Sequence, residues 1–222
     1  MLGIIGGTSL LFSDLPSLEK KTVPTPYGPA DVLCGEVILL MRHQKGIPPH
    51  RIDHRAHLSA IALQGVDRVV AIGSVGSLRM EILPGSILVP SDYIAMGGIP
   101  TIHDHAMIHV CPEISPTFRG ELTRVVPEAR SGGVYVQTTG PRIETIAEVR
   151  MYSRVGDVVG MTLASEATLA FEMGLQFAAL CNVDNYAHGL GGEVLTYEHI
   201  LAAARENRER TAEILLRLVK RL

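Results

Sequence analysis

Short runs of mostly apolar residues occupy positions 2–5, 37–42, 68–72, 86–89, 133–137, 157–160 and 177–181, each four to six residues long, the length expected of buried strands. Between them lie longer segments in which apolar residues recur every three or four positions, predicting helices over 53–64, 146–155, 165–175 and 197–221. In the last of these, Ile200, Leu201, Ala204, Ile214, Leu215, Leu218 and Val219 form one core-seeking stripe, with the charged cluster from Arg205 to Arg210 on the solvent side. Strands alternating with helices predict an α/β fold, with a central mixed β-sheet flanked by helices. Residues 91–131, with Gly97, Gly98, Pro100, Pro112, Pro116 and Pro127, are the least periodic stretch and are expected to include long loops. No repeat or linker interrupts the pattern, so residues 1–222 read as one domain.

Composition narrows the class. The chain has 222 residues, 46% of them hydrophobic and only 19% charged, against about 25% charged in average soluble domains, so disorder is excluded and a large core is favoured. A net charge of −3, from 20 Lys and Arg against 23 Asp and Glu, with no basic tract, argues against nucleic acid as a partner. Cys34, Cys111 and Cys181 are odd in number and widely spaced, so they read as reduced, mostly buried thiols rather than disulfides or zinc ligands. The first residues lack the basic and long apolar regions of a secretion signal, and no stretch is apolar enough for a membrane span, so a soluble cytoplasmic protein is expected.

Candidate chemistry gathers where the apolar runs end. Gly6-Gly7-Thr8-Ser9 follows the first strand, and its small residues and hydroxyls suit an anion, although a tight turn explains it equally. The spacing is not that of a dinucleotide loop. Arg42-His43 ends the second strand, offering bidentate guanidinium bonds and an imidazole donor to a phosphate. His50, His54 and His57 are spaced for one helix face, and His103, Asp104, His105 and His109 cluster in a loop, which keeps a metal-dependent hydrolase open as a rival. Thr145 and Glu148 have capping-box spacing and are thereby accounted for; Glu144 is not, and stands where a carboxylate would accept from a ligand N–H. Ser165 reads as a helix cap. Asn182, Asp184 and Asn185 collect at another strand end, where α/β folds hold ligands.

Taken in order, Gly3-Ile4-Ile5-Gly6-Gly7-Thr8, Thr25-Pro26-Tyr27-Gly28, Arg42-His43, Ile47-Pro48-Pro49-His50-Arg51-Ile52 with Arg55-Ala56, Gly76-Ser77-Leu78, Gly140-Pro141-Arg142-Ile143-Glu144-Thr145, Gly160-Met161-Thr162 and Asn185-Tyr186 resemble the trimeric purine nucleoside phosphorylase family, in its methylthioadenosine and methylthioinosine branch. The resemblance runs from residue 3 to about 205 and implies the nucleoside phosphorylase fold, with a partly barrel-like sheet. It implies phosphorolysis of a purine nucleoside, with inorganic phosphate as co-substrate, no metal or organic cofactor, and a homotrimer. By the same resemblance Thr8, Arg42, His43 and Thr162 match phosphate ligands, the loop Gly73-Ser74 lies near phosphate and purine, and Met161 contacts the ribose; Ile143, Tyr186 and Ala187 line the substrate site. Asn185 and His43 are the groups expected to act on the leaving base and on phosphate.

Base choice departs from the adenine-specific members. Where they carry Asp-Tyr-Asp this chain reads Asn185-Tyr186-Ala187, and where they carry a small hydroxyl residue it has Glu144. A carboxylate accepts the N1–H of hypoxanthine or guanine but faces adenine N1, itself an acceptor, unpaired; Asn185 can donate to O6 or N7. A buried mispaired group can cost about 10⁴ or more in selectivity, so a 6-oxopurine is expected. The resemblance places Tyr197 at the 5′ end of the sugar, its ring and hydroxyl compatible with methylthio or hydroxyl. Methylthioinosine is expected first, inosine and guanosine after it, with a methylthioadenosine phosphorylase as a further alternative. A neighbouring subunit is expected to complete the 5′ pocket from residues near Met107 to Pro116.

Overall fold

A computed structural model describes residues 1–7, 10, 18–192 and 196–222, apart from the side chains of Tyr197 and Ile200. In chain order its elements are β1 (Leu2–Gly6), β2 (Glu19–Val23), β3 (Ala30–Cys34), β4 (Ile38–Met41), α1 (His54–Ala62), β5 (Arg68–Ser77), β6 (Ile87–Val89), β7 (Asp92–Ala95), α2 (Pro116–Val125), β8 (Arg130–Ser131), β9 (Val134–Gln137), α3 (Ile146–Tyr152), β10 (Val158–Gly160), α4 (Leu163–Glu172), β11 (Gln176–Tyr186), α5 (Tyr197–Glu206) and α6 (Arg208–Arg221).

The strands form one mixed sheet, ordered β2-β3-β4-β1-β5-β10-β9-β7, with β11 on the other edge of β5 and β6 and β8 beyond it. Residues 68–72 of β5 pair in parallel with β1, whereas Gly76 and Ser77 pair antiparallel with β10 on that edge. The sheet therefore forks at β5, as the expectation of a mixed sheet that is not a single flat ladder requires. Side chains on these strands alternate between two cores, because both faces are covered. Ile5, Val69, Ala71 and Ala179 meet Leu58 and Ile61 of α1 and Leu169 of α4. Ile4, Val70, Ile72, Ala178 and Leu180 meet Phe118 and Leu122 of α2 and Ile214, Leu215 and Leu218 of α6. That double burial is why the strands read as unbroken apolar runs.

Several expectations need correction. Residues 91–131 include the expected loops but also β7, α2 and β8, which were not expected; α2 begins at Pro116 with Ser115 as its cap, so that one proline marks a helix start. Residues 197–221 are two helices, not one, with Asn207 ending α5 and capping α6. β5 and β11 run five residues past the expected ends, so Gly73-Ser74 is strand and not loop. Cys181 is buried, but Cys34 is half-buried and Cys111 exposed.

Candidate functional site

A cavity of about 630 Å³ opens where the C-terminal ends of β4, β5, β10 and β11 converge, the place where α/β sheets collect ligands. β10 runs against β5 and touches only its last two residues, so the chain leaving Gly160 turns back toward the middle of β5. Met161 and Thr162 thereby share the cavity with Ser74, Arg42 and His43.

Arg42 follows β4 directly and is 2% exposed. Its Nε and Nη2 donate to Glu166 of α4 at 2.5 and 2.9 Å, and its Nη1 donates to the Ile72 carbonyl at 3.1 Å. Three of the five guanidinium N–H groups are thus committed and two remain for a ligand. A side chain at Gly7 would run into Arg42 Nη1, so the end of β1 must be glycine to pass this close. The Arg42–Glu166 pair is bidentate and fully desolvated, a geometry in which removing one partner costs about 3–5 kcal/mol. Beneath it, His54 and His57 of α1 are buried with their Nδ1 atoms unpartnered, His54 Nδ1 lying 3.8 Å from Glu166 Oε1. Burial pushes their rings down to about 3 and about 4, leaving both neutral.

His43 corrects an expectation. Its Nδ1 lies 2.8 Å from the Ile47 carbonyl, which can only accept, so Nδ1 carries the hydrogen. Burial also holds the ring below its usual range. Neutral His43 therefore presents the Nε2 lone pair as an acceptor, matched to the hydroxyl of HPO₄²⁻, and not the donor expected from sequence.

Thr162 stands at the N-cap of α4 without a side-chain cap bond. The first amides of that helix are satisfied otherwise: Thr162 and Leu163 donate to the Tyr135 hydroxyl at 3.2 and 3.4 Å, and Ser165 donates to Gln137 Oε1 at 3.0 Å. Thr162 keeps its hydroxyl for the cavity. Ser165, expected as a cap, instead accepts from Gln137 Nε2 at 2.7 Å.

Ile143, Glu144, Asn185 and Ala187 line the same cavity. Glu144 is buried, accepts from Thr138 Oγ1 at 2.5 Å, and sits directly before the capping box of Thr145 and Glu148, which is formed as expected. Gly140, at φ +66°, leaves no room for a side chain beside Met161 Sδ. Asn185 owes its aim to a bulge: Val183 pairs with Val75 and Asn185 with Gly76, so Asp184 is one residue too many and turns Asn185 to the cavity side. Asn185 Nδ2 spends one hydrogen on the Tyr186 carbonyl, at 2.7 Å, and keeps another. Tyr186 is turned elsewhere, its hydroxyl donating to the Met80 carbonyl at 3.2 Å. Thr8 and the Tyr197 side chain lie outside the described residues.

The model of the phosphorylase superfamily matches residues 1–220. The chain belongs to the phosphorylase superfamily. This phosphorylase is 40% identical over 235 residues to a probable 6-oxopurine nucleoside phosphorylase of Archaeoglobus fulgidus, covering 100% of this chain and 97% of that one. It is 38% identical over 220 residues to a probable S-methyl-5′-thioinosine phosphorylase of Methanocaldococcus jannaschii, covering 93% and 86%. In fold it is similar to a methylthioadenosine phosphorylase from Schistosoma mansoni in complex with adenine, with a TM-score of 0.85 at 23% identity over 99% of this chain and 90% of that one.

Three features of the phosphorylase site escape the sequence reading. Glu166 lies in a helix and signals nothing until Arg42 is seen against it. Val75 and Val159 line the cavity from strands whose apolar runs look like core alone, and Pro48 and Pro49 close it from the loop after His43. Among the described residues no three His, Cys, Asp or Glu side chains are grouped to hold a metal ion; His50 is exposed while His54 and His57 are buried.

Proposed function

We propose that this phosphorylase cleaves 6-oxopurine nucleosides, converting S-methyl-5′-thioinosine and inorganic phosphate into hypoxanthine and 5-methylthioribose 1-phosphate. The observation that carries the reading is a buried carboxylate, Glu144, in one cavity with Asn185 and with the half-committed guanidinium of Arg42. Glu144 accepts the purine N1–H, and Asn185 donates to O6 or N7, where charge accumulates as the base leaves. Arg42, His43, Ser74, Thr162 and Thr8 hold phosphate, and Met161 and Ile143 pack on sugar and base.

A phosphate oxygen attacks the anomeric carbon while the bond to the purine nitrogen breaks. The sugar becomes cationic between an anion and a stabilised leaving group, so positioning and electrostatics supply the catalysis and no cofactor takes part. Inosine and guanosine are the second reading, favoured because Glu144 and Asn185 read the same base edge and because relatives carry the name 6-oxopurine nucleoside phosphorylase. The enzyme works as a cytoplasmic homotrimer, in which residues 107–116 of a neighbour complete the 5′ pocket; Met107 is 95% exposed in the single chain. Among the described residues no helix is long and apolar enough to cross a membrane.

The test is base release from methylthioinosine, inosine, guanosine and methylthioadenosine by chelator-treated protein, with and without phosphate. Phosphate-dependent cleavage of the oxopurines is expected. Faster cleavage of methylthioadenosine would overturn the base assignment, and cleavage without phosphate would overturn phosphorolysis.

A further inference from the structure

Asp184 has no part in the chemistry above, yet it touches it. The bulge in β11 gives Asp184 no partner residue on β5, and its side chain, 9% exposed, accepts a hydrogen bond from the hydroxyl of Ser74. Ser74 is a cavity wall beside Arg42, His43 and Thr162. A serine hydroxyl has one hydrogen to give, and an ionised carboxylate can only accept. While Asp184 is charged, Ser74 therefore spends its hydrogen away from the cavity and shows an incoming anion only lone pairs. Neutral His43 likewise presents a lone pair. Arg42 and Thr162 are then the side-chain donors described at this anion site, and Ser74 adds one more only when Asp184 changes state.

We infer that Asp184, bonded to Ser74 behind the cavity wall, decides whether Ser74 gives or takes a hydrogen bond at the anion site, and that phosphate binds with uptake of one proton by Asp184. The proton comes from solvent and forms the carboxylic O–H. That O–H donates to Ser74 Oγ, and the Ser74 hydrogen swings to a phosphate oxygen. No other bond is made or broken. Binding then replaces a buried carboxylate next to an anion by a neutral acid, and adds one donor.

The surroundings agree. Arg42 is neutralised by Glu166, His43 is held neutral by burial, and Glu144 is bonded to Thr138. Among the described residues of β5, β6, α2, α4 and α5, which pack against β11, no charged group shifts Asp184. Burial alone pushes its carboxyl up to about 7, so the site is poised at neutral pH. Asp184 is on this account a positioning residue acting through Ser74.

The inference rests on the phosphate reading, and the test separates the two. Phosphate, taken at about pH 7.5 and above so that it is the dianion with one hydroxyl to donate to His43, is titrated calorimetrically into wild type, Asp184→Asn and Ser74→Ala up to about pH 9, with melting curves to verify folding. An asparagine amide donates to Ser74 permanently. Wild-type affinity should fall about tenfold per pH unit above about pH 7, and Asp184→Asn should hold its low-pH affinity across the same range. Ser74→Ala should bind more weakly and lose the slope, and His43 remains intact in both variants. A slope in Asp184→Asn or Ser74→Ala equal to wild type overturns the inference while leaving the phosphate site standing. Absence of phosphate binding at every pH overturns both.

Discussion

At the scale of single residues, the site is governed by which hydrogen-bonding capacity each side chain has left over. Arg42 has two free N–H groups because Glu166 and the Ile72 carbonyl take the others. Replacing Glu166 by Gln leaves a buried cation uncompensated and should destabilise the fold by about 3–5 kcal/mol; urea unfolding measures it, and the KM for phosphate should rise more than kcat falls. The base end is a matter of donors and acceptors alone. A Glu144→Ser, Asn185→Asp, Ala187→Asp variant should shift preference toward methylthioadenosine, read as the ratio of kcat/KM values; an unchanged ratio would mean that the base lies elsewhere. His54 and His57 set an acid limit. Their folded values, about 3 and about 4, lie below the ordinary 6.5, so the unfolded chain binds the protons first. Stability is complete above about pH 6.5 and is lost as pH falls toward 4, by about 1.4 kcal/mol per pH unit for each ring. Urea midpoints from pH 7.5 down to about 4.5 should show this slope, and a His54→Gln, His57→Gln variant should lack it.

Elements aim these residues. The bulge in β11 puts Asn185 on the cavity side, and the antiparallel turn of β10 carries Thr162 back to Ser74. The capping box that starts α3 fixes the backbone directly after Glu144. Thr145→Ala should cost about 1 kcal/mol in thermal unfolding, and it should loosen discrimination between oxopurine and adenine nucleosides, because the neighbouring carboxylate loses its anchor. The capping box was legible as a spacing of three residues, and so were the glycine-rich end of β1 and the Arg42-His43 strand end. The bulge was not, since one additional residue in a strand leaves the hydrophobic pattern unbroken. Nor was α2, whose first residue, Pro116, is equally at home at a helix start and in a loop.

At the scale of the whole molecule, the central strands are covered on both faces, and the cavity lies at their C-terminal ends, where polar side chains can meet a ligand. Met107 and Ile108 remain exposed beyond the core, and large apolar side chains so placed suit burial against a second chain. A Met107→Asp, Ile108→Asp variant should sediment as a smaller species than wild type and lose activity in proportion; an unchanged sedimentation coefficient would remove this segment from the interface. The alternation of strands and helices, the family resemblance and the residues proposed to read phosphate and an oxopurine were all present in the sequence, because these follow from periodicity and from ordered motifs along the chain. Only the tertiary structure decided that Glu166 grips Arg42, that His43 offers a lone pair and that Asp184 stands behind Ser74. Those pairings join residues separated by 124 positions for Glu166 and Arg42 and by 110 for Asp184 and Ser74. A hydrogen bond depends on distance in space, and no local pattern records which distant side chains burial will bring together.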